Sequence, residues 1–158
     1  MKRSTRDDRF PSVNPAWRIA IIRSAWYPHC VEALTEDARK ALVEAGIEPE
    51  QITVLEAPGS FELPLLAKRA IEHHSVVGVI AFGVIVEGET HHAALIAHAA
   101  ARGIMDVQLQ MNTPIAFEVL YVDDLKLAEA RSIGKGGKGR EAAVSLLKSL
   151  ANKAELMR

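Results

Sequence analysis

SVVGVIAFGVIV (residues 75–86), running without a break into EGETHH (residues 87–92), decides how this chain folds. The first segment is apolar at nearly every position. Both of its faces must therefore be covered, as in the central strand of a parallel sheet. The Ala-, Leu-, Ile- and Met-rich stretch from about residue 89 to 111 has the length and composition of a long helix. A buried strand that turns directly into a helix is part of a βαβ unit.

The rest of the chain repeats that alternation. Residues 17–24 form a short apolar run that fits another buried strand. Pro28 then suits the first position of a helix, where its missing N–H costs nothing. Val31, Leu34, Ala38, Leu42 and Val43 lay one apolar stripe along that helix, and Gly46 marks its end. Residues 51–56 are β-branched enough for a second strand. Residues 57–60 make a turn, with Ser60 offering an N-cap to a helix over 61–73 that has Pro64 in its first turn. His73 and His74 suit the C-terminus of that helix. Downstream, residues 114–122 form a fourth strand. Asp123 and Asp124 cap a helix running to about residue 131. GKGGKG (residues 134–139) reads as a loop, and residues 140–156 as a last amphipathic helix. Gly103, inside the third helix, is either a weak spot or a close contact between helices. The order βαβαβαβαα implies a parallel sheet covered on both faces, a three-layer α/β/α sandwich with four strands.

The 158 residues fit one domain over residues 15–158, preceded by a charged arm, residues 1–14, that is flexible or docks elsewhere. Apolar residues make up 49% and aromatics only 5%, so the core must be aliphatic. Nineteen basic residues against 20 acidic ones leave no pull toward nucleic acid or an anionic membrane. Cys30 is the sole cysteine, which rules out an intrachain disulfide and reads as a small core residue. No apolar run approaches the ~20 residues of a membrane span, and the arm lacks the apolar core of a signal peptide. The expected compartment is the cytoplasm.

In parallel α/β sheets, ligands sit beyond the carboxyl ends of the strands. That rule selects Trp26, residues 58–62, residues 86–92 and the strand after Pro114. Gly88, Glu89 and Thr90, at the start of the long helix, are either an anion site or a simple helix cap. His91 and His92 bring a group suited to proton transfer near neutral pH. His92 and His98 face different sides of the helix and there is no H-E-x-x-H pattern, so no metal is expected. Glu62 could bind ligand hydroxyls or simply favour a helix N-terminus. Trp26 and Phe117 could stack on a planar ligand or fill core. Arg131, Lys135, Lys138 and Arg140 form a basic cluster among glycines, but it lacks the Lys-Ser/Thr of a P-loop, and no G-x-G-x-x-G is present.

Together these segments resemble the lumazine synthase family over about residues 17–150. The resemblance is carried by APGSFELP (57–64), GVIVEGETHH (83–92), Gly103 with Ile104, PIAF (114–117) and the stretch from Arg131 through KGREAA (138–143). It implies a flavodoxin-like sheet and an arm that adds an edge strand in a neighbouring subunit. The implied reaction is a cofactor-free condensation of 5-amino-6-(ribitylamino)pyrimidinedione with 3,4-dihydroxy-2-butanone 4-phosphate to 6,7-dimethyl-8-ribityllumazine, in riboflavin biosynthesis. By position, Trp26 would stack on the pyrimidine, Ser60, Phe61 and Glu62 would belong to the ribityl segment, and Val84, Ile85 and Val86 would line the ring pocket. Gly88, Glu89 and Thr90 match the phosphate-side loop and His92 the acid/base histidine. Phe117 would close the pocket from the adjacent subunit, Arg131 would bind phosphate, and Lys138 and Glu141 match the charged pair beyond it. The implied partners are small-molecule substrates and further copies of the chain, as pentamers, decamers or a 60-subunit capsid. Glu87, Ala93, Ala94, Tyr27, Glu118 and Tyr121 depart from the family pattern. Those departures frame the competing reading, a non-catalytic flavin- or lumazine-binding assembly of the same fold. A generic binder of phosphate metabolites is a third.

Overall fold

The computed structural model describes residues 7–134 and 137–158. Four strands, β1 (Ile19–Ser24), β2 (Ile52–Ala57), β3 (Gly78–Val86) and β4 (Ile115–Val122), form one all-parallel sheet in the order β2-β1-β3-β4. The chain steps outward from β1 to β2, then crosses back past β1 to β3. The direction of winding therefore reverses between β1 and β3. Five helices complete a Rossmann/flavodoxin-like α/β fold: α1 (Pro28–Glu44), α2 (Leu63–His74), α3 (His92–Met111), α4 (Leu125–Ser132) and α5 (Lys138–Leu156).

Side-chain alternation along the strands divides the core into two layers. Ile19, Ile21, Ile80, Phe82 and Val84 point toward α1 and α5, where Leu34, Leu42, Leu146 and Leu147 cover them. Ala20, Ile22, Val79 and Ala81 point the other way, against Leu63, Ala67, Ile104 and Val107 of α2 and α3. β3 is buried along almost its whole length, as its apolar run demands. Cys30 is fully buried in the first layer.

Glycines fix how closely the helices approach. A Cβ on Gly103 would lie 2.7 Å from Cγ of Pro64, so α3 can meet α2 only through a glycine. A Cβ on Gly139 would lie 2.3 Å from the carbonyl oxygen of Leu34. Gly139 therefore belongs to α5, not to a loop, and the last helix starts at Lys138 instead of residue 140. The Asp37 carboxylate accepts from the Arg140 N–H at 2.7 Å and supplies a partner for that first turn.

Two other helix starts differ from expectation. Residues 60–62 form a 3-10 turn and α2 begins only at Leu63, placing Pro64 where a missing N–H is harmless. The Ser60 side chain makes no cap; its hydroxyl lies over Gly83. α3 begins at His92, three residues later than expected. Thr90 Oγ1 accepts from the His92 N–H at 3.4 Å, a local bond that competes with helical geometry. The cap of α4 is as expected: Asp124 accepts from the Leu127 N–H at 3.1 Å.

The described part of the arm lies on its own chain. Phe10 and Val13 pack against the α1/α5 core layer, and the Arg140 guanidinium lies 4.8 Å over the Phe10 ring. Residues 1–6 of the arm and Lys135 of the basic cluster fall outside the described residues.

Candidate active site

β1 ends at Ser24, and Tyr27 adopts a left-handed conformation with φ 54°. A non-glycine residue there carries strain of about 1–3 kcal/mol. The strained turn directs the Tyr27 carbonyl to the N–H groups of Cys30 and Val31, at 3.0 and 3.3 Å. It leaves Trp26 64% exposed beyond the strand end. Trp26 is therefore not core. Its ring stands 6.4 Å from that of Tyr27 at a tilt of 46°.

The turn after β2 supplies the opposite wall. A Cβ on Gly59 would be 3.2 Å from Glu62 Oε2 and 3.6 Å from Cδ1 and Nε1 of the Trp26 indole. The bare glycine thus leaves open the space that the carboxylate and the indole edge both border. Phe61 stands on the same turn, 62% exposed. Below them, Gly83 of β3 has Ser60 Oγ 2.6 Å from where its Cβ would be.

These walls enclose a cleft of about 510 Å³ beyond the carboxyl ends of β1, β2 and β3. It opens at the point where the winding reverses, the usual ligand crevice of open α/β sheets. Trp26, Ser60, Phe61 and Glu62 line one side. Val84, Ile85 and Val86 come from β3, and Gly88, Thr90 and His92 from the segment that leads into α3. An apolar cleft with a few converging polar groups is the ordinary form of a small-molecule site.

Five expected site residues lie elsewhere in the chain. Glu89 is exposed next to the cleft but does not line it. Phe117 projects from β4, 38% exposed, and is not core. Arg131 lies on α4, donating from Nη1 to the Leu127 carbonyl at 3.3 Å. Lys138 and Glu141 pair with each other at 2.7 Å on α5. Pro58 and Gly59, from the strand-end turn the sequence selects, also line the cleft, and Tyr27, Ala93 and Ile96 line it without having been selected. Ile96 was findable, since it lies four residues after His92 on the same helical face. Tyr27 needed the strained turn, which no spacing rule reveals. Among the described residues, no three His, Cys, Asp or Glu side chains gather in an arrangement that could hold a metal.

Between the lining residues Val86 and Gly88 stands Glu87, which does not itself line the cleft. Its Oε1 accepts from the Gly88 N–H at 3.3 Å and its Oε2 from the Tyr121 hydroxyl. That hydrogen bond pushes the Tyr121 phenol above its usual value, and burial, the Glu87 charge and Asp123 add to the shift.

A parallel sheet with an exposed indole, a carboxylate and a histidine lining its ligand crevice defines the class, an α/β protein with a small-molecule cleft. Comparison with known proteins narrows this class. The model of the family described as 6,7-dimethyl-8-ribityllumazine synthase matches residues 16–154. The 6,7-dimethyl-8-ribityllumazine synthase of Xanthomonas oryzae pv. oryzae (strain PXO99A) is 38% identical over 144 residues, 90% of this chain and 93% of that one. The protein of the same name from Xanthomonas campestris pv. campestris (strain B100) is 38% identical over 141 residues, 89% and 91% of the two chains. Among solved structures, a de novo designed Rossmann fold protein matches at 18% identity with a TM-score of 0.36, covering 72% of this chain and 91% of that one. The fold assignment rests on the strand order above. The chain belongs to the 6,7-dimethyl-8-ribityllumazine synthase family.

Proposed function

We propose that the cleft is one half of the site at which this enzyme condenses 5-amino-6-(ribitylamino)pyrimidinedione with 3,4-dihydroxy-2-butanone 4-phosphate, giving 6,7-dimethyl-8-ribityllumazine in riboflavin biosynthesis. The observation that carries this is the convergence of Trp26, Glu62 and His92 on one cleft. Trp26 stacks on the pyrimidine, and Ser60 and Glu62 take hydroxyls of the ribityl chain. His92 moves protons during addition of the amine to the ketone and loss of water from the carbinolamine, steps that need both an acid and a base. Gly88 and Thr90 receive the phosphate end of the second substrate. Holding both reactants in one cleft supplies much of the acceleration.

The other half comes from a second copy. Phe117 and Arg131 lie outside the cleft of their own chain, so they serve a neighbour's. There Phe117 closes over the ring and Arg131 neutralises the departing phosphate. A ring of five copies is the assembly we assign. The cytoplasm is the compartment, where the lone thiol of Cys30 stays reduced.

The test is formation of fluorescent lumazine from both substrates. His92→Ala should lower kcat by about 10²–10⁴-fold, and Arg131→Ala should lower kcat/KM for the butanone phosphate. Unchanged kinetics in both variants would refute these roles. Tight riboflavin binding with no turnover would make the chain a binding protein instead.

A further inference from the structure

We infer that Glu87, held by Tyr121, is a specificity-determining residue that weakens binding of highly charged phosphate groups at the head of the cleft. The inference rests on the placement of phosphate at Gly88 and Thr90 proposed above. β3 and β4 stay paired beyond the end of β3, with the Glu87 N–H donating to the Val122 carbonyl at 2.8 Å. This fixes the Glu87 backbone beside β4. Ile85 is the register partner of Tyr121, so Glu87, two residues on, faces the same side of the sheet as the phenol.

The carboxylate is then held at two points. Tyr121 donates to one oxygen, and the Gly88 N–H donates to the other at 3.3 Å. Nothing lies within 4 Å of where a Gly88 Cβ would be, so the backbone there is open to an approaching ligand. Its N–H, however, is already engaged by a negative charge. An incoming phosphate must either displace Glu87 from Gly88 or bind beside it. Glu89 on the same turn and Asp123 near the phenol carry the same sign. Tyr121 makes displacement harder, because the carboxylate would leave a second hydrogen bond as well.

A like charge about 5–7 Å from the phosphate, partly shielded by water, weakens its binding by about three- to thirty-fold. Inorganic phosphate is the probe, used as a competitor of the butanone phosphate with the full-length protein. Glu87→Gln should lower the phosphate inhibition constant and the KM for the butanone phosphate by that factor, leaving the KM for the pyrimidine unchanged. Tyr121→Phe, which frees the carboxylate to swing away, should move both constants the same way by less. Raised ionic strength should narrow the gap between wild type and Glu87→Gln. An unchanged or raised phosphate inhibition constant in Glu87→Gln, with turnover intact, overturns the inference alone. If no lumazine forms, the proposed function fails, and direct phosphate binding followed by phosphorus NMR decides the inference. Tighter binding by Glu87→Gln then supports it. Equal binding, or none in either protein, overturns it.

Discussion

Replacing Gly103 by alanine sets two physical effects against each other with opposite signs. Alanine is the better helix former by about 1 kcal/mol in a helix interior. Propensity alone therefore predicts a more stable protein, with Tm raised by about 2–4 °C at this size. The structure predicts the reverse. The added methyl would sit 2.7 and 2.9 Å from Cγ and Cβ of Pro64, where ordinary contacts begin at 3.4 Å. Proline's ring cannot rotate aside, so α2 and α3 must separate by roughly 0.7 Å, a shift of the size that overpacked cores make at a cost of about 1–3 kcal/mol. Less the propensity gain, the net loss is about 1 kcal/mol, and Tm falls by about 2–4 °C. The shift also reaches the site. Pro64 lies two residues from Glu62, and α3 carries His92 at its other end. The two walls of the cleft move apart, and kcat/KM should fall by about ten-fold or more. Calorimetry and lumazine kinetics on Gly103→Ala read both effects. Pro64→Ala in the same chain removes Cγ but keeps the Cβ at 2.9 Å, so Gly103→Ala should cost less in that background than in the wild type, though still something. A raised Tm in the single variant would refute the close-contact argument.

Gly139 and Glu44, both at the contact between α1 and α5, give two more outcomes. Gly139→Ala meets backbone at Leu34 O and Ala38 N, and the Asp37 Cβ between them. It should destabilise by more than about 2 kcal/mol in urea titrations, since whole helices must move; a loss near zero would contradict the α1/α5 crossing. Glu44 is held below its ordinary value of 4.5, first by its hydrogen bond to Arg140. A folded-state value below the unfolded one means the contribution is present above pH 4.5 and is lost as pH falls through the folded value. Glu44→Gln should therefore have a slightly lower Tm than wild type at neutral pH, with the gap closing in acid. A gap independent of pH would assign the loss to something other than this carboxylate's charge.

The residues differ in how much they disclosed in sequence. The apolar run of residues 75–86 could only be a doubly covered strand, and its neighbours followed from alternation. Gly103 presented two options that only the Pro64 ring decides. Gly139 looked like loop glycine because local composition cannot register that the Leu34 carbonyl needs its space. α3 starts later than its composition suggests because the Thr90 hydroxyl accepts from the His92 N–H and ties residues 90–92 into a local turn. Trp26, Glu62 and His92 were legible because strand ends collect function. The Glu87–Tyr121 bond was not legible, because it depends on the register of β3 against β4. The roles proposed for Phe117 and Arg131 involve a second copy, which one chain's geometry does not contain.

The central claim is that lumazine forms in a cleft completed by a neighbouring copy. Mixing His92→Ala chains with Arg131→Ala chains under conditions that let subunits exchange tests it directly. If each site takes His92 from one copy and Arg131 from the next, random mixing restores both groups in about a quarter of the sites. Lumazine production should then rise from the low level of either parent to about a quarter of the wild-type rate. Activity that stays at the parental level after demonstrated exchange would contradict the shared site and return Arg131 to its own chain.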